Sequence, residues 1–318
     1  MFNPLLLLFL PKCPFTDAKL SLPKIQKPKI TMLIKRILIS LIKVTQAIIY
    51  GFVFVAFLLA KPMFAEQGRI TNLRVAAYNV EFGRSTTPEQ VGKMFKPYNL
   101  DIIGFNEVPN GDWTARVGKV LGMKHSYVGK ISSANHKDKY KSILSRTRFE
   151  LTEEHEVSIE RRRSWNPASC VKATTKIDGV LVAFYSLHIC RSTDSHNTGH
   201  AYRLANEVLL KEKTDRVIVV GDFNNNIGDT AMDTLEASGF RATWNDLKID
   251  VTKDFTYNAL KPMQPNLGVI DHIFYNTRSG GRTKEGGIIE LKKPLSDHKP
   301  VWAEIAFPKA LKRLKPKN

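Results

Sequence analysis

Short runs of apolar residues, separated by polar or glycine-containing stretches, recur along most of the chain after Glu66. Their length and alternation are typical of β-strands, and residues 217–220 are apolar throughout, as in a strand buried on both faces. The predicted strands span residues 73–80, 101–108, 142–146, 168–176, 180–188, 216–221, 269–275 and 300–307. An Asp178-Gly179 turn between two of them predicts a hairpin, so at least one strand pair is antiparallel.

Helical patterns lie between the strands. The sequence Thr87-Pro88-Glu89-Gln90 has the form of a capping box with proline at the first helical position. Apolar residues at positions 201, 204, 205, 208 and 209 repeat at helical spacing, and Asp229 is placed to cap a further helix. This alternation of strands and helices, without internal repeats, predicts one α/β domain.

A different pattern precedes Glu66. Residues 44–60 form a run of seventeen positions without a charge, which follows several basic residues and is followed by Lys61-Pro62-Met63-Phe64-Ala65, with one small residue at its end. The run predicts an export signal, although its length also fits an uncleaved membrane anchor. Met32 would begin a leader of more usual length, so we expect residues 1–31 to lie upstream of the true start. The protein would then be periplasmic or extracellular, or anchored in a membrane.

The composition permits a full core and biases the choice of partner. Hydrophobic residues make up 43% of the 318 residues, and nothing in the composition suggests disorder. Of the formal net charge of +18, +8 lies before Glu66, which leaves +10 for the remainder. This positive charge favours polyanionic partners, either nucleic acid or an anionic membrane surface. We expect an N-terminal extension over residues 1–65, a main domain over 66–308 and a basic tail over 309–318.

Two cysteines, Cys170 and Cys190, lie after Glu66. The predicted hairpin sets Cys170 opposite Leu187, so the two thiols face opposite sides of the ribbon and a disulfide would need a bulge. Their pairing therefore stays open. The chain has no cluster of cysteines and histidines with the spacing of a zinc site.

Polar residues that can bind metal or move protons occur repeatedly at the ends of the predicted strands. They are Asn79, Glu107, His188, Asp222, Asn224, Asp271, Asp297 and His298. Each alone has an ordinary explanation, such as a turn, a helix cap or a buried histidine. Together they are informative, because a strand end aims a side chain into a shared cleft while the apolar body of the strand fixes its position.

The motifs YNV, FNEV, SLHI, GDFNN, IDHIF and SDHKPVW, in this order, resemble the endonuclease/exonuclease/phosphatase superfamily. That superfamily includes deoxyribonuclease-like nucleases, apurinic endonucleases, sphingomyelinases and inositol polyphosphate phosphatases. The resemblance covers residues 73–307 and implies an α/β fold, a four-layer α/β sandwich of two mostly antiparallel sheets flanked by helices. It also implies a hydrolase that cleaves phosphoester bonds by in-line attack of water.

The resemblance implies that Glu107 is the main ligand of Mg²⁺, with Mn²⁺ as a substitute. Asn79 and Asp297 would complete the metal site, and Glu81 is placed like a second acid of the apurinic endonucleases. This oxygen-rich set suits Mg²⁺, which prefers hard oxygen ligands and needs few carboxylates when it also binds substrate oxygens and water.

The resemblance also assigns catalytic roles. Asp222 would orient or deprotonate the attacking water, and Asn224 would bind the phosphate. His298 would pair with Asp271, because a carboxylate behind an imidazole fixes its tautomer and stabilises its protonated form.

A second histidine and a tyrosine complete the implied active site. His188 resembles the family's second catalytic histidine, and Tyr185 resembles the active-site tyrosine of apurinic endonucleases. In deoxyribonuclease-like members the second histidine has a carboxylate partner, for which Asp138 is the nearest candidate in this chain.

The favoured substrate is nucleic acid, which would make the protein a nuclease. Besides the net charge, three consecutive arginines end at Arg163, shortly before Trp165, and lysines alternate at positions 137, 139 and 141. A side chain such as Arg163 would contact backbone phosphates, and Trp165 would stack on a base. Glu107, however, is followed by Val-Pro-Asn. Deoxyribonuclease-like members have an arginine there that contacts the minor groove of DNA, so the sequence gives less support to that mode of duplex binding in this chain.

Two alternatives stay open. A phospholipase C-like or sphingomyelinase-like hydrolase at a membrane fits the N-terminal apolar run and the lysine-rich end of the chain. A non-catalytic binding module is disfavoured, because no expected catalytic position is replaced. The sequence does not distinguish DNA from RNA, or endonucleolytic from exonucleolytic cleavage.

Overall fold

The computed structural model describes residues 70–191 and 199–308, together with isolated positions between 32 and 46. The chain divides into two compact units, Met1–Phe64 and Ala65–Asn318, and the second contains both β-sheets. Among the described residues, no helix is both long enough and apolar enough to span a bilayer. Most of the apolar run at 44–60 and the whole basic tail at 309–318 lie outside the described residues.

Twelve strands form two six-stranded sheets in the described part of the chain. They are β1 (Ile70–Asn79), β2 (Ile102–Val108), β3 (His125–Val128), β4 (Tyr140–Ser145), β5 (Phe149–Glu156), β6 (Ser169–Ile177), β7 (Val180–His188), β8 (Val217–Asp222), β9 (Phe240–Ala242), β10 (Asp271–Asn276), β11 (Arg282–Ile288) and β12 (Val301–Pro308). The first sheet has the order β11-β12-β1-β2-β4-β3 and the second the order β5-β6-β7-β8-β10-β9. Each sheet contains one parallel pair, β1 with β2 or β7 with β8, and is otherwise antiparallel.

Helices connect the strands and cover the outer faces of the sheets. The α-helices are α1 (Pro88–Phe95), α2 (Trp113–Leu121), α3 (His200–Arg203), α4 (Thr230–Ala237) and α5 (Thr243–Leu247). Helix α3 continues as a π-turn (Leu204–Val208) and a 3₁₀ turn (Leu209–Lys211), and other 3₁₀ turns lie at Glu81–Gly83, Lys96–Tyr98, Ser133–Asn135, Glu160–Trp165, Val251–Lys253 and Thr277–Ser279. The predicted capping box is confirmed, because the side chains of Thr87 and Gln90 each accept a hydrogen bond from the other's backbone N–H.

The two sheets pack face to face, and this contact forms the main core. Its members are apolar residues of both sheets, whereas a second cluster lies between the first sheet and the helices α1 and α2. The sheets approach closely at Gly104 of β2, where a Cβ atom would lie 2.5 Å from Val220 Cγ2 of β8. The resulting order of helices, sheet, sheet and helices confirms the expected four-layer α/β sandwich.

The hairpin between β6 and β7 has the predicted register. Asp178 and Gly179 both have positive φ, as a two-residue turn of type I′ requires, and Ile177 lies opposite Val180. Cys170 lies opposite Leu187, also as predicted. No disulfide joins Cys170 to Cys190, and both residues are buried.

Candidate active site

The two parallel strand pairs bring polar residues to one edge of the sandwich. Parallel strands end at the same edge of a sheet, so β1 and β2 deliver Asn79 and Glu107 together. In the second sheet His188 ends β7 and lies directly opposite Asp222, which ends β8. The predicted convergence of strand ends therefore follows from the position of the parallel pair in each sheet.

The antiparallel neighbours contribute the first residues of their strands to the same edge. Asp271 begins β10 and is the register partner of Asp222. His298 lies just before β12, whose first residue, Val301, pairs with Ala77 near the end of β1. A strand that runs the opposite way begins where its neighbour ends, which explains why Asp271 occurs early in its motif and His298 precedes a strand.

Asp222 lies at the centre of the site and is almost completely buried. Asn79 Nδ2 donates a hydrogen bond to its Oδ2 at 3.0 Å, and the backbone N–H of Asn224 donates to its Oδ1 at 2.9 Å. The Nε2 atoms of His188 and His298 lie 3.5 and 3.6 Å from Oδ2. One carboxylate therefore faces two imidazoles, while an amide and a backbone donor fix its orientation.

The His298 imidazole is held by a buried carboxylate on its other side. His298 Nδ1 lies 2.7 Å from Oδ2 of Asp271, which is fully buried, and this confirms the predicted contact between them. Burial by itself lowers the pKa of His298, but the negative charges of Asp271 and Asp222 outweigh it and raise that pKa. The two carboxylates therefore favour the imidazolium form of His298, whose Nε2 has no hydrogen bond to Asp222 at 3.6 Å.

His188 differs from His298 in its charge. Burial, followed by the positive charge of Lys139, lowers the pKa of His188 well below its ordinary value, so that its imidazole is neutral. Its Nε2 also lies 3.7 Å from Glu107 Oε1, and its Nδ1 is buried without a hydrogen-bond partner. The site thus pairs a cationic histidine with a neutral one.

Negative charge is concentrated at three carboxylates near the site, those of Glu81, Glu107 and Asp297. The pKa of Asp297 is raised by burial and by the charge of Glu107, and the pKa of Glu81 is raised by burial and by the charge of Asp297. Glu81 Oε2 is buried and has no hydrogen-bond partner. An oxygen-rich group of this kind fits a divalent cation, which would offset the repulsion.

The backbone is strained at several of these residues. Glu81, Phe82, Glu107 and Asn224 all have positive φ, with values of 44°, 57°, 50° and 52°. Residues other than glycine seldom adopt this conformation, and such strain concentrates at functional sites, where the surrounding fold enforces it. Glu81, Glu107 and Asn224 all lie at the same edge as the other site residues.

The tightest group of possible metal-binding atoms in the described residues consists of Asp222, Asp271 and His298, whose ligand atoms lie within 4.8 Å of one another. The sequence had assigned these residues to catalysis and had placed the metal at Glu107, Asn79 and Asp297. His298 as an imidazolium has no lone pair to give a metal, and its positive charge offsets one of the two carboxylates in this group. The carboxylates around Glu107 remain the better candidates for a metal site.

Two sequence-based assignments are wrong. Tyr185 donates a hydrogen bond to Glu212 Oε2 at 2.7 Å on the outer face of the second sheet. Side chains alternate along a strand, so a residue three positions before His188 must point to the opposite face. Asp138 is exposed and makes no contact with His188 in the described part of the chain, where the next residue, Lys139, reaches Glu107 instead.

The two residues predicted to bind substrate, Trp165 and Arg163, belong to the same 3₁₀ turn. The ring of Trp165 meets the ring of His188 edge to face, with centroids 5.3 Å apart, so it lies beside the site. The side chain of Arg163 lies outside the described residues, although its backbone belongs to the 3₁₀ turn at Glu160–Trp165.

Sequence reasoning missed Asn106, which links the two sheets beneath the site. Its Nδ2 donates to the carbonyl oxygen of Leu187, and its Oδ1 accepts from the backbone N–H of Asp222 at 3.0 Å. A buried amide next to Glu107 in an otherwise apolar strand was the available signal. Its bonds fix the ends of β7 and β8 relative to β2, and so hold Asp222 and Glu107 at a constant separation.

Residues 76–298 match the sequence model of the Endonuclease/Exonuclease/phosphatase family. Members of this family hydrolyse phosphoesters and typically depend on a divalent metal. A search of curated proteins found no match to the chain.

Solved structures with the same fold come from several organisms. An endonuclease/exonuclease/phosphatase from Beutenbergia cavernae is 16% identical, with a TM-score of 0.61 over 74% of this chain and 72% of the other. A mannosyl-6-phosphatase from Bacteroides thetaiotaomicron is 20% identical, with a TM-score of 0.57 over 74% of this chain and 100% of the other. TDP2 from D. rerio, complexed with a single-strand DNA product, is 15% identical, with a TM-score of 0.56 over 74% and 99%. At these identities the likeness shows a shared fold only.

Proposed function

We propose that this chain, which belongs to the endonuclease/exonuclease/phosphatase family, is a magnesium-dependent nuclease. It would hydrolyse the phosphodiester bonds of nucleic acid by in-line attack of water. The observation that carries the proposal is the buried Asp222 carboxylate, which lies between the imidazoles of His188 and His298, with Glu107 on the other side of His188 near the end of β2. This arrangement places a base, a cationic hydrogen-bond donor and an oxygen-rich site for a cation within one cleft.

Asp222 has the features of a general base. Burial raises its pKa, against the opposing effect of His298, to about 7, which is close to the operating pH at which a base is most effective. The hydrogen bonds from Asn79 and from the backbone of Asn224 leave the carboxylate little freedom to rotate. We infer that Asp222 accepts a proton from the attacking water and holds that water in line with the bond that breaks.

The histidines would stabilise the charge that develops on the phosphate. Asp271 holds Nδ1–H of His298, so Nε2–H is free to donate to a non-bridging phosphoryl oxygen as negative charge builds there. Neutral His188, on the other side of Asp222, can donate a hydrogen bond without adding a charge. Asn224 Nδ2 donates to the Ile189 carbonyl oxygen at 2.9 Å, which fixes the loop that would border the phosphate.

Glu107, Asp297, Asn79 and Glu81 are the residues that would hold the metal. When bound, Mg²⁺ would supply Lewis-acid stabilisation of the phosphoryl oxygens and of the leaving oxygen. The all-oxygen set favours Mg²⁺ or Mn²⁺ over zinc, which prefers sulfur and nitrogen ligands.

Nucleic acid is the favoured substrate because the chain has a net positive charge and because the aromatic ring of Trp165 lies beside the site. The +10 charge after residue 65 would concentrate a polyanion at the surface. Trp165, beside His188, offers an aromatic ring on which a base next to the scissile phosphate would stack. The similar folds include both a DNA-bound protein and a sugar phosphatase, so they support phosphoester hydrolysis without selecting the substrate.

The test is an assay of the purified full chain on single-stranded DNA, plasmid DNA, RNA and a sugar phosphate, each with Mg²⁺ and with EDTA. We expect cleavage of nucleic acid that EDTA abolishes and that declines steeply with added salt. Asp222→Asn, purified in parallel, controls for contaminating nucleases. Hydrolysis of the sugar phosphate alone, or equal activity in the Asp222→Asn preparation, would contradict the proposal.

The second candidate substrate is a phosphoester at a membrane surface. It is favoured by a cavity and an exposed apolar loop next to the site. A cavity of about 310 Å³ opens beside His298, with Phe255, Leu260 and Leu291 in its walls. On the same loop Leu260 is 40% exposed and Met263 is 96% exposed, with the exposed Lys261 between them in the sequence, and Lys292 and Lys299 line the cavity. Exposed apolar side chains among lysines suit an anionic bilayer. Hydrolysis of phospholipid or sphingomyelin in vesicles, with no cleavage of nucleic acid, would favour this candidate.

We also propose that the protein is exported or membrane-anchored, on the basis of the apolar run at residues 44–60. N-terminal sequencing of the protein recovered from cell fractions would test this. A mature terminus shortly after residue 60 supports a cleaved signal, whereas a terminus within residues 1–31 would refute both the signal and the proposed start at Met32.

A further inference from the structure

Lys139 is a cation placed at the carboxylate to which the proposed function assigns the metal. Its Nζ lies 3.1 Å from Glu107 Oε1, and its side chain is only 18% exposed. By contrast Lys137, two residues earlier on the same loop, is exposed. Lys139 is therefore part of the interior of the cleft, whereas its neighbour belongs to the surface.

The surroundings of Lys139 hold its ammonium group in place. Its backbone N–H donates to Ser132 Oγ at 3.0 Å, just before β4 begins. The ammonium lies 5.2 Å from the centroid of the Phe82 ring, a distance at which a cation is attracted to an aromatic face. The ring of His136 stacks on Phe82 with planes 4° apart and centroids separated by 5.8 Å. The Phe82 ring therefore supports both the loop and the cation that approaches Glu107.

A metal ion and Lys139 cannot both use Glu107 without repulsion. Two cations at one carboxylate repel each other strongly in a partly buried site, where solvent screens them less than at the surface. A substrate phosphate that reaches the same edge carries the opposite charge and offers the ammonium a new partner. A metal ion at Glu107 would therefore favour the transfer of the Lys139 ammonium from this carboxylate to that phosphate.

We propose that Lys139 neutralises Glu107 in the metal-free protein and, once a divalent cation occupies that carboxylate, binds a non-bridging oxygen of the substrate phosphate. The inference rests on the proposed function, because it requires a metal at Glu107 and a phosphate beside it. Lys139 is then a substrate-binding residue that also weakens metal binding in the absence of substrate. An ordinary structural ion pair with Glu107 would also oppose metal binding, but it would not bind the substrate phosphate.

Two binding measurements on the full chain test the inference. Mn²⁺ is titrated alone and followed by electron paramagnetic resonance, and inorganic phosphate is titrated by calorimetry at saturating Mn²⁺. Relative to Lys137→Met, which removes the same charge from the exposed part of the loop, we expect Lys139→Met to bind Mn²⁺ roughly tenfold more tightly and phosphate roughly tenfold more weakly. Lys139→Arg, which keeps the charge, should retain phosphate binding.

The opposite signs of the two effects separate the possible outcomes. A Lys139→Met protein that matches Lys137→Met in both titrations, or that binds both ligands more weakly, would overturn the inference. Glu107→Gln tests the metal site itself. If it leaves Mn²⁺ binding unchanged, or if the wild-type protein does not bind Mn²⁺, the proposed metal site fails and the inference fails with it. If Glu107→Gln abolishes Mn²⁺ binding while Lys139→Met has no effect, only the inference fails.

Discussion

Strand β7 carries residues of two polar clusters, a buried one and a partly exposed one, that lie on opposite faces of the same sheet. The inner cluster faces the first sheet and comprises Glu107, His188, Asp222, Asp271 and His298. The outer cluster comprises Glu153, Lys172, Tyr185 and Glu212. Tyr185 and His188 are only three residues apart, yet they belong to different clusters with different electrostatic properties.

The outer cluster satisfies its own charges. Glu212 accepts hydrogen bonds from Tyr185 and from the backbone of Thr214, and Lys172 Nζ lies 2.8 Å from both Glu212 and Glu153. Every charge there has a close partner, so the cluster needs no ligand.

The inner cluster leaves polar atoms without partners. Asp271 Oδ1 and His188 Nδ1 are buried and have no hydrogen-bond partner, and burial together with nearby negative charges raises the pKa of Asp222 and of Asp297. A buried polar group without a partner costs stability, and proteins keep such groups where a ligand will use them. The comparison therefore indicates that the outer cluster stabilises the fold and the inner cluster binds and reacts.

The largest expected effect is on catalysis, in Asp222→Asn. The substitution removes the base but keeps the shape of the side chain, so we expect kcat/KM for the cleaved substrate to fall by roughly a thousandfold. The free energy of unfolding, measured in urea, should not fall with it, because the variant no longer buries that carboxylate. A variant that kept its activity, or lost activity only through unfolding, would break the contrast between the clusters.

Asp271→Asn should have the next largest effect. Without the carboxylate His298 loses the partner that fixes its tautomer and its charge, so we expect kcat/KM to fall by about a hundredfold. Asp246 provides a control, since it pairs with Arg241 and Tyr275 away from the inner cluster. Equal losses in Asp271→Asn and Asp246→Asn would mean that the effect is structural.

The sequence predicted the interior of each sheet and missed its edges. The eight predicted strands correspond to the eight interior ones, and the four that were missed, β3, β5, β9 and β11, are the edge strands. Edge strands carry charged side chains that discourage pairing with other chains, as the sequence FELTEEHE of β5 illustrates. They therefore lack the apolar alternation that identifies an interior strand.

The sequence predicted which strand ends form the site, but it predicted only partly which side chains point into it. Strand ends identified Glu107, Asp222 and the other members of the inner cluster, because position along a strand is visible in the sequence. Alternation along β7 would have excluded Tyr185, but the resemblance took precedence over it. The contacts of Lys139 with Glu107 and of Asn106 with the second sheet could not be predicted, since they depend on how β2 and its neighbours face that sheet.

A divalent cation should stabilise the protein through the inner cluster alone. A ligand that binds only the folded state adds about 2.7 kcal/mol to the free energy of unfolding at a hundred times its Kd. We expect Mn²⁺ to raise the melting temperature of the wild-type protein and of Glu212→Gln, but not of Glu107→Gln. Equal stabilisation of all three proteins would place the cation elsewhere.

The smallest expected effect concerns the outer cluster and depends on pH. Although burial alone would raise it, hydrogen bonds from Lys172 and Tyr185 lower the pKa of Glu212 to about 2. Because the folded-state pKa lies below the unfolded value of 4.5, this carboxylate stabilises the protein above about pH 4.5 and loses that effect as the pH falls towards 2. We expect Glu212→Gln to lower the free energy of unfolding by about 1–2 kcal/mol at pH 7, after allowance for solvent screening, and to flatten its decline between pH 4.5 and pH 2. Urea unfolding across this range measures both, and kcat/KM at pH 7 should stay at the wild-type value. A large loss of activity in Glu212→Gln would contradict the division between a stabilising outer cluster and a reactive inner one.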